Sequence, residues 1–242
     1  MASIVHGKEL MYNYDMYFKI FTITALLLIS GAQRLCAEEG IPLYNELRAS
    51  IVTITGKTPA VIDGRTAYRQ TSGAGVILDP QGIIATNTHV IYGADYIQIQ
   101  LNTGETLPAR ILFISPTDDL SLLKINVPID LKPIVWADSN LVQLNDDVIT
   151  IGHSELLQST ISGGSVRAIG IRKDDPTLTP EFIEININHY QGDSGGPVFT
   201  RNGEFLGLLN AKRLNENRAS FAVPANKIHF AYLNLAKPPE NR

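Results

Sequence analysis

Short apolar or alternating runs, each bounded by Gly, Pro, Asn or Asp, recur through most of the chain. They predict strands at Ile51–Thr55, Gly75–Leu78, Ile83–Thr86, Tyr96–Leu101, Ala109–Ser115, Leu122–Ile125, Asp147–Ile151, Gly163–Ile169, Glu181–Ile187, Pro197–Thr200, Glu204–Leu209 and Ser220–Val223. Many short strands separated by turn signals indicate an all-β barrel or sandwich, not alternating β-α units. Helical spacing is confined to two short segments, Ile41–Ala49 before the first strand and Asn226–Leu235 soon after Pro224. No internal repeat, heptad pattern or long low-complexity linker interrupts this texture.

The N-terminal region has a different character. Lys19 precedes an apolar run, Ile20–Ile29, followed by the small residues Ser30-Gly31-Ala32 and then by Cys36-Ala37. That order of positive charge, apolar stretch and small residues describes a secretory signal peptide over residues 1–37, cleaved after Ala32 or, preferably, Ala37. An uncleaved membrane anchor is the alternative, although the run is shorter than the roughly 20 apolar residues a span requires. The polar lead before Lys19 is unusual for such a segment, and starts at Met11 or Met16 would shorten it. Export leads to a secreted or periplasmic protein, and Cys36, as the single cysteine of 242 residues, allows no intramolecular disulfide.

A formal net charge of −4 supplies no basic field for nucleic acid. The five histidines lie far apart, at His6, His89, His153, His189 and His229, and match no zinc pattern, so no metal is implied. The Gly-rich Ser72-Gly73-Ala74-Gly75 lacks the third glycine of a dinucleotide loop and leads into a strand, so no cofactor is implied either.

The chemistry concentrates in Gly192-Asp193-Ser194-Gly195-Gly196-Pro197. A serine hydroxyl is a weak nucleophile and needs both a base and donors for the oxyanion formed by attack on a carbonyl. Glycines around Ser194 permit a tight turn that aims the N–H groups of Gly192, Asp193 and Ser194 at one spot, an oxyanion hole. The best base is His89, read as the end of the strand-like run that starts at Gly82, with His153 and His189 as rivals. A carboxylate must fix the tautomer of that base, and Asp118 and Asp119 both qualify chemically. Asp119 opens the apolar run Leu120–Ile125, and the order His, Asp, Ser is that of the chymotrypsin architecture.

The segments around these residues resemble HtrA/Deg proteases: Ser72–Gly82 leading into Thr86–Asp95, then Ser115–Ile125, Ala137-Asp138-Ser139, Ile151-Gly152, Ile161–Val166, Asn202–Gly207 and Phe221–Asn226. The resemblance covers about residues 41 to 230 and selects Asp119 over Asp118. It implies a chymotrypsin/trypsin-like double β-barrel over residues 41–235, with barrels near 41–127 and 128–235 and the active site in the cleft between them. It further implies a serine endopeptidase acting on exported proteins or peptides and, by family analogy, a homotrimer, whereas the usual C-terminal PDZ domains of the family are not expected here. The competing reading is a catalytically silent binding or chaperone-like protein on the same fold.

Three details depart from the family pattern or refine it. Asn188, six residues before Ser194, would lie at the base of the primary pocket, whose wall would include the backbone of Leu209 and Asn210. Without a carboxylate at Asn188 the counter-charge for a Lys or Arg side chain is missing, and the resemblance to HtrA proteases implies small aliphatic residues such as Val or Ala before the scissile bond. Asp193 replaces the usual Asn, which raises a zymogen mechanism in which a new N-terminus at Ile51-Val52 would pair with it. Ser50 before that pair argues against such cleavage, and Asp193 is expected to face solvent or a local donor.

Overall fold

The computed structural model describes residues 43–235 apart from 63, 128–130, 155–156, 173–180, 189, 191 and 213–218. The expected signal segment and the rival base His189 therefore lie outside the described residues. The chain divides into the units Met1–Asn45 and Glu46–Arg242, and the strands among the described residues lie in the second. Residues 43–48 are helical, within the predicted Ile41–Ala49.

Two closed antiparallel barrels of six strands each form the domain. The first runs β1 (Ile51–Ile62), β2 (Arg65–Ile77), β3 (Ile83–Thr86), β4 (Tyr96–Gln100), β5 (Thr106–Ser115) and β6 (Leu120–Ile125), in spatial order β1-β2-β3-β6-β5-β4. The second comprises β7 (Asp147–Ser154), β8 (Leu157–Arg172), β9 (Glu181–Ile185), β10 (Pro197–Thr200), β11 (Phe205–Lys212) and β12 (Ser220–Pro224), in the order β10-β11-β12-β9-β8-β7. Inward-facing apolar side chains fill each interior: Ile54, Ile84, Ile99, Leu123 and Ile125 close one core, and Val166, Ile183, Ile185, Val198 and Ala222 the other. Each such Leu, Ile or Val contributes about 1.5–3 kcal/mol of transfer free energy. With no disulfide possible in the domain, these cores hold it together.

The first two strands extend well beyond their predicted ends. Gly56 and Pro59 read as strand breakers, but β1 and β2 continue as a hairpin in register from Ile51↔Val76 to Ile62↔Arg65, with the sequence Asp63-Gly64 between them. Asp-Gly is a favoured two-residue hairpin loop, and Gly64 takes the positive φ of 73° that such a turn demands. Pro59 is tolerated because it faces Tyr68 at a pair whose backbone groups point away from the shared ladder. That polarity follows from Ala74, an even-numbered β2 residue whose N–H leaves the hairpin for the Ser194 carbonyl.

The predicted C-terminal helix is present as α2 (Ala225–Asn234), and α1 is a single turn, Thr88–Ile91. α2 packs Ala225 and Ile228 inward and fastens to both barrels. On the second barrel's side, Asn226 Nδ2 donates to Asp138 Oδ1 at 2.6 Å, which lowers the Asp138 pKa, and His229 stacks on Trp136 with centroids 4.6 Å apart. On the first, Lys227 Nζ donates to Asp118 Oδ1 at 2.9 Å and Tyr232 OH to Asp79 Oδ2 at 3.2 Å. Burial and the Asp79 charge raise the Tyr232 pKa.

Candidate active site

His89 does not end a strand, as its sequence context had indicated. β3 stops at Thr86, and His89 sits on α1, where its backbone N–H donates to Asp119 Oδ1 at 2.9 Å. Its ring Nδ1 lies 2.6 Å from Asp119 Oδ2. An ionised carboxylate only accepts, so this contact assigns the proton to Nδ1 and leaves Nε2 as the basic nitrogen. Asp119 occupies the left-handed region, with φ of 50°, immediately before β6. Asp tolerates that conformation better than most residues, and here it turns the carboxylate toward α1.

The adjacent carboxylate takes a different partner. Asp118 accepts from Ser115 Oγ at 2.6 Å and from Lys227 on α2, so the two candidate carboxylates diverge and Asp119 alone meets His89. The other rival base, His153, belongs to β7.

Ser194 stands on a turn braced from both barrels. Its carbonyl accepts the Ala74 N–H of β2 at 2.8 Å, while the following Gly195 N–H donates to Leu209 O at 2.8 Å. Gly195 has φ of 80°, and a Cβ there would overlap the Ala74 carbonyl oxygen, so the Gly after the serine is sterically required. Gly73 is similarly enclosed, since a Cβ would come within 2.9 Å of the Ser194 carbonyl. Ser194 Oγ approaches Asn210 O at 3.4 Å.

One expectation at this turn needs correction. The Asp193 N–H donates to Tyr190 O at 3.1 Å, which removes it from the three expected oxyanion donors and leaves Gly192 and Ser194. At the expected pocket wall, the Leu209 N–H donates to Gly196 O, its carbonyl accepts the Gly195 N–H, and its side chain lies in the second core. The Asp193 carboxylate is buried and accepts the Tyr190 N–H at 2.8 Å, a local donor. Ile51 and Val52, the hypothetical zymogen N-terminus, are buried in β1 opposite Val76 and Gly75.

Asn210 holds a position that strand alternation did not reveal. The β11–β12 register shifts between Leu209 and Ala211, so Asn210 is the bulged residue. A bulge re-aims a side chain, and here Asn210 Nδ2 donates to Asp119 Oδ2 at 2.8 Å, the same oxygen that faces the His89 ring. Asp119 thus accepts two side-chain donors and one backbone N–H. At the expected pocket base, Asn188 Nδ2 donates to Tyr190 OH at 3.3 Å, and the buried Asn188 Oδ1 has no hydrogen-bond partner among the described residues.

A trypsin-like peptidase domain matches residues 73–208, a span that contains His89, Asp119 and Ser194. The chain belongs to the trypsin-like peptidase family. Among curated proteins, this trypsin-like peptidase is 31% identical over 160 residues to the periplasmic serine endoprotease DegP of Salmonella typhimurium, covering 64% of this chain and 34% of that protein. It is 29% identical over 237 residues to the serine endoprotease DegS of Escherichia coli, covering 86% of this chain and 67% of that protein. The chain therefore spans about a third of the DegP length. Among solved structures, the HtrA-type protease AlgW with a decapeptide superposes with a TM-score of 0.71 at 20% identity, covering 81% of this chain and 68% of that chain. The fold is that of an HtrA-like chymotrypsin double barrel.

Proposed function

We propose that this chain is a serine endopeptidase that hydrolyses peptide bonds of exported proteins through an acyl-enzyme on Ser194. The observation that carries the reading is the Asp119 carboxylate holding the His89 ring by Nδ1, with the Ser194 turn braced from both barrels. His89 Nε2 removes the Ser194 proton as Oγ attacks the substrate carbonyl, and the Gly192 and Ser194 N–H groups stabilise the oxyanion. Asp119 stabilises the imidazolium that forms, and Asn210 keeps the carboxylate oriented as a positioning residue. Collapse of the intermediate transfers the proton from Nε2 to the leaving amine. Water then enters by the reverse sequence, with His89 again acting as base, and frees Ser194.

The substrate class rests on the family resemblance and on the solved HtrA-type structures with bound peptides. Asn188 at the expected pocket base argues against Lys or Arg before the scissile bond, and analogy with HtrA proteases favours Val or Ala there. Periplasmic relatives and the Lys19–Ala37 pattern support export, and a homotrimer rests on analogy with the family. Casein digestion tests the activity: cleavage by wild type and none by Ser194→Ala is expected. A folded wild type that leaves casein and short peptides intact would favour a silent binding protein.

A further inference from the structure

Three consecutive residues, Asn87, Thr88 and His89, direct four donors at Asp119. The His89 backbone N–H and ring reach its carboxylate, while the Thr88 N–H and Asn87 Nδ2 reach its carbonyl oxygen at 3.2 and 3.1 Å. A carbonyl only accepts, so the Asn87 atom that faces it is the amide nitrogen. Asn87 is fully buried, and its other side-chain atom, Oδ1, has no hydrogen-bond partner among the described residues. The flanking side chains show no such deficit: Thr86 Oγ1 donates to Ala74 O at 2.8 Å, and Thr88 Oγ1 meets Ser115 O and Ser121 Oγ at 3.3 and 3.0 Å.

The orphaned oxygen has a traceable origin. Asn87 is the N-cap of α1, where a side-chain oxygen ordinarily accepts an N–H of the first turn. It makes no such bond here, because Asp119 Oδ1 takes the His89 N–H. The Asp119 carboxylate thus caps the helix in place of Asn87, and the Asn87 amide holds the carbonyl of that same Asp. A buried acceptor without a partner destabilises a fold, so stability alone would favour an apolar residue at this position. What Asn87 supplies instead is a donor to a residue in the left-handed region. The direction of a carbonyl is set by the ψ of its own residue, so holding it fixes the backbone from which the Asp119 carboxylate is aimed at His89. We infer that Asn87 is a positioning residue for peptide hydrolysis: it holds Asp119 in its left-handed conformation through the carbonyl, and the fold is less stable for it. Asn210 grips the carboxylate of Asp119, and Asn87 grips its backbone.

This inference rests on the endopeptidase reading, and the experiment separates the two. Asn87→Leu puts an apolar group of similar shape in place of the amide and removes the orphaned acceptor together with the donor, while Asp119 O keeps the Thr88 N–H. The expected kcat is about tenfold lower, the loss of one hydrogen bond from the transition state. KM should stay within about twofold, since a fully buried side chain does not touch substrate. The midpoint of chemical denaturation should be no lower than in wild type, whereas a residue serving only the fold would lose stability and keep kcat. A second reading needs no turnover: the His89 Nδ1–H, 2.6 Å from Asp119, should give a low-field proton resonance in wild type that is lost or moved clearly upfield in the variant. Asn87→Ala leaves a cavity but cannot clash, and it should show the same kcat loss and spectral change should Leu disturb the packing. Normal kcat in either folded variant, or a resonance unchanged in both variants or absent from wild type, would overturn the inference. The spectrum decides it even if wild type cleaves nothing, an outcome that would remove the endopeptidase reading alone.

Discussion

Replacing Asn210 by Ala removes one donor from the Asp119 carboxylate and leaves two, the His89 N–H at 2.9 Å and the His89 ring at 2.6 Å. A hydrogen bond to a charged group is worth about 1.5–3 kcal/mol. If that is lost in full from the transition state, where Asp119 must stabilise an imidazolium, kcat/KM falls about 10- to 100-fold at 1.36 kcal/mol per decade. Asn210→Asp should be worse than Ala, because a second carboxylate would meet Asp119 Oδ2 at the 2.8 Å separation now held by an amide. The assay is kcat/KM on a fluorogenic peptide, alongside thermal unfolding to establish that each variant is folded. A cycle with Asp119→Ala isolates the route: once the carboxylate is gone, removing Asn210 should cost less than about threefold more. Full activity in a folded Asn210→Ala, or losses that simply add in the double variant, would refute the assignment of Asn210 as the residue that orients Asp119.

Other expectations follow from neighbouring contacts. Asp193→Asn should keep near-normal activity, because its amide oxygen can still accept the Tyr190 N–H; activation only after exposing an N-terminus at Ile51, lost again with Asp193→Asn, would instead establish a zymogen. Profiling of cleavage sites should show Val or Ala before the scissile bond, and dominant cutting after Lys or Arg would exclude the reading of Asn188. Tyr232→Phe should cost about 1 kcal/mol of stability in chemical denaturation by losing the hydrogen bond to Asp79. The raised Tyr232 pKa means that the fold favours the neutral phenol, so its contribution is complete below the ordinary tyrosine range near 10 and is lost as pH rises through the folded value. Wild type should therefore lose stability above about pH 10 more steeply than Tyr232→Phe, and identical alkaline profiles would contradict that coupling.

Much of this architecture was legible because strand periodicity is a local signal. Each of the twelve observed strands overlaps a predicted run, and glycines whose positive φ or close packing excludes a Cβ marked the Ser194 turn. The outer part of the β1–β2 hairpin was missed because Gly56 and Pro59 interrupt the pattern, although the sequence Asp63-Gly64 was its available signal. The choice between Asp118 and Asp119 depends on a left-handed backbone at one residue, which spacing alone does not specify. Asn210 was placed near the site only through its backbone, since its side chain reaches Asp119 by a bulge, and a bulge breaks the alternation on which sequence reading relies. The Asp193 N–H was overcounted for a comparable reason: its acceptor, Tyr190 O, is fixed by the fold of the turn.

The central claim is that His89, Asp119 and Ser194 form one working nucleophile. The most direct measurement is covalent labelling of the folded protein by a fluorophosphonate at neutral pH, followed by mass mapping of the modified residue. Labelling confined to Ser194, abolished in Ser194→Ala and reduced to background in His89→Ala with both variants still folded, is the predicted result. A folded wild type that resists labelling, or one labelled equally well without His89, would contradict it.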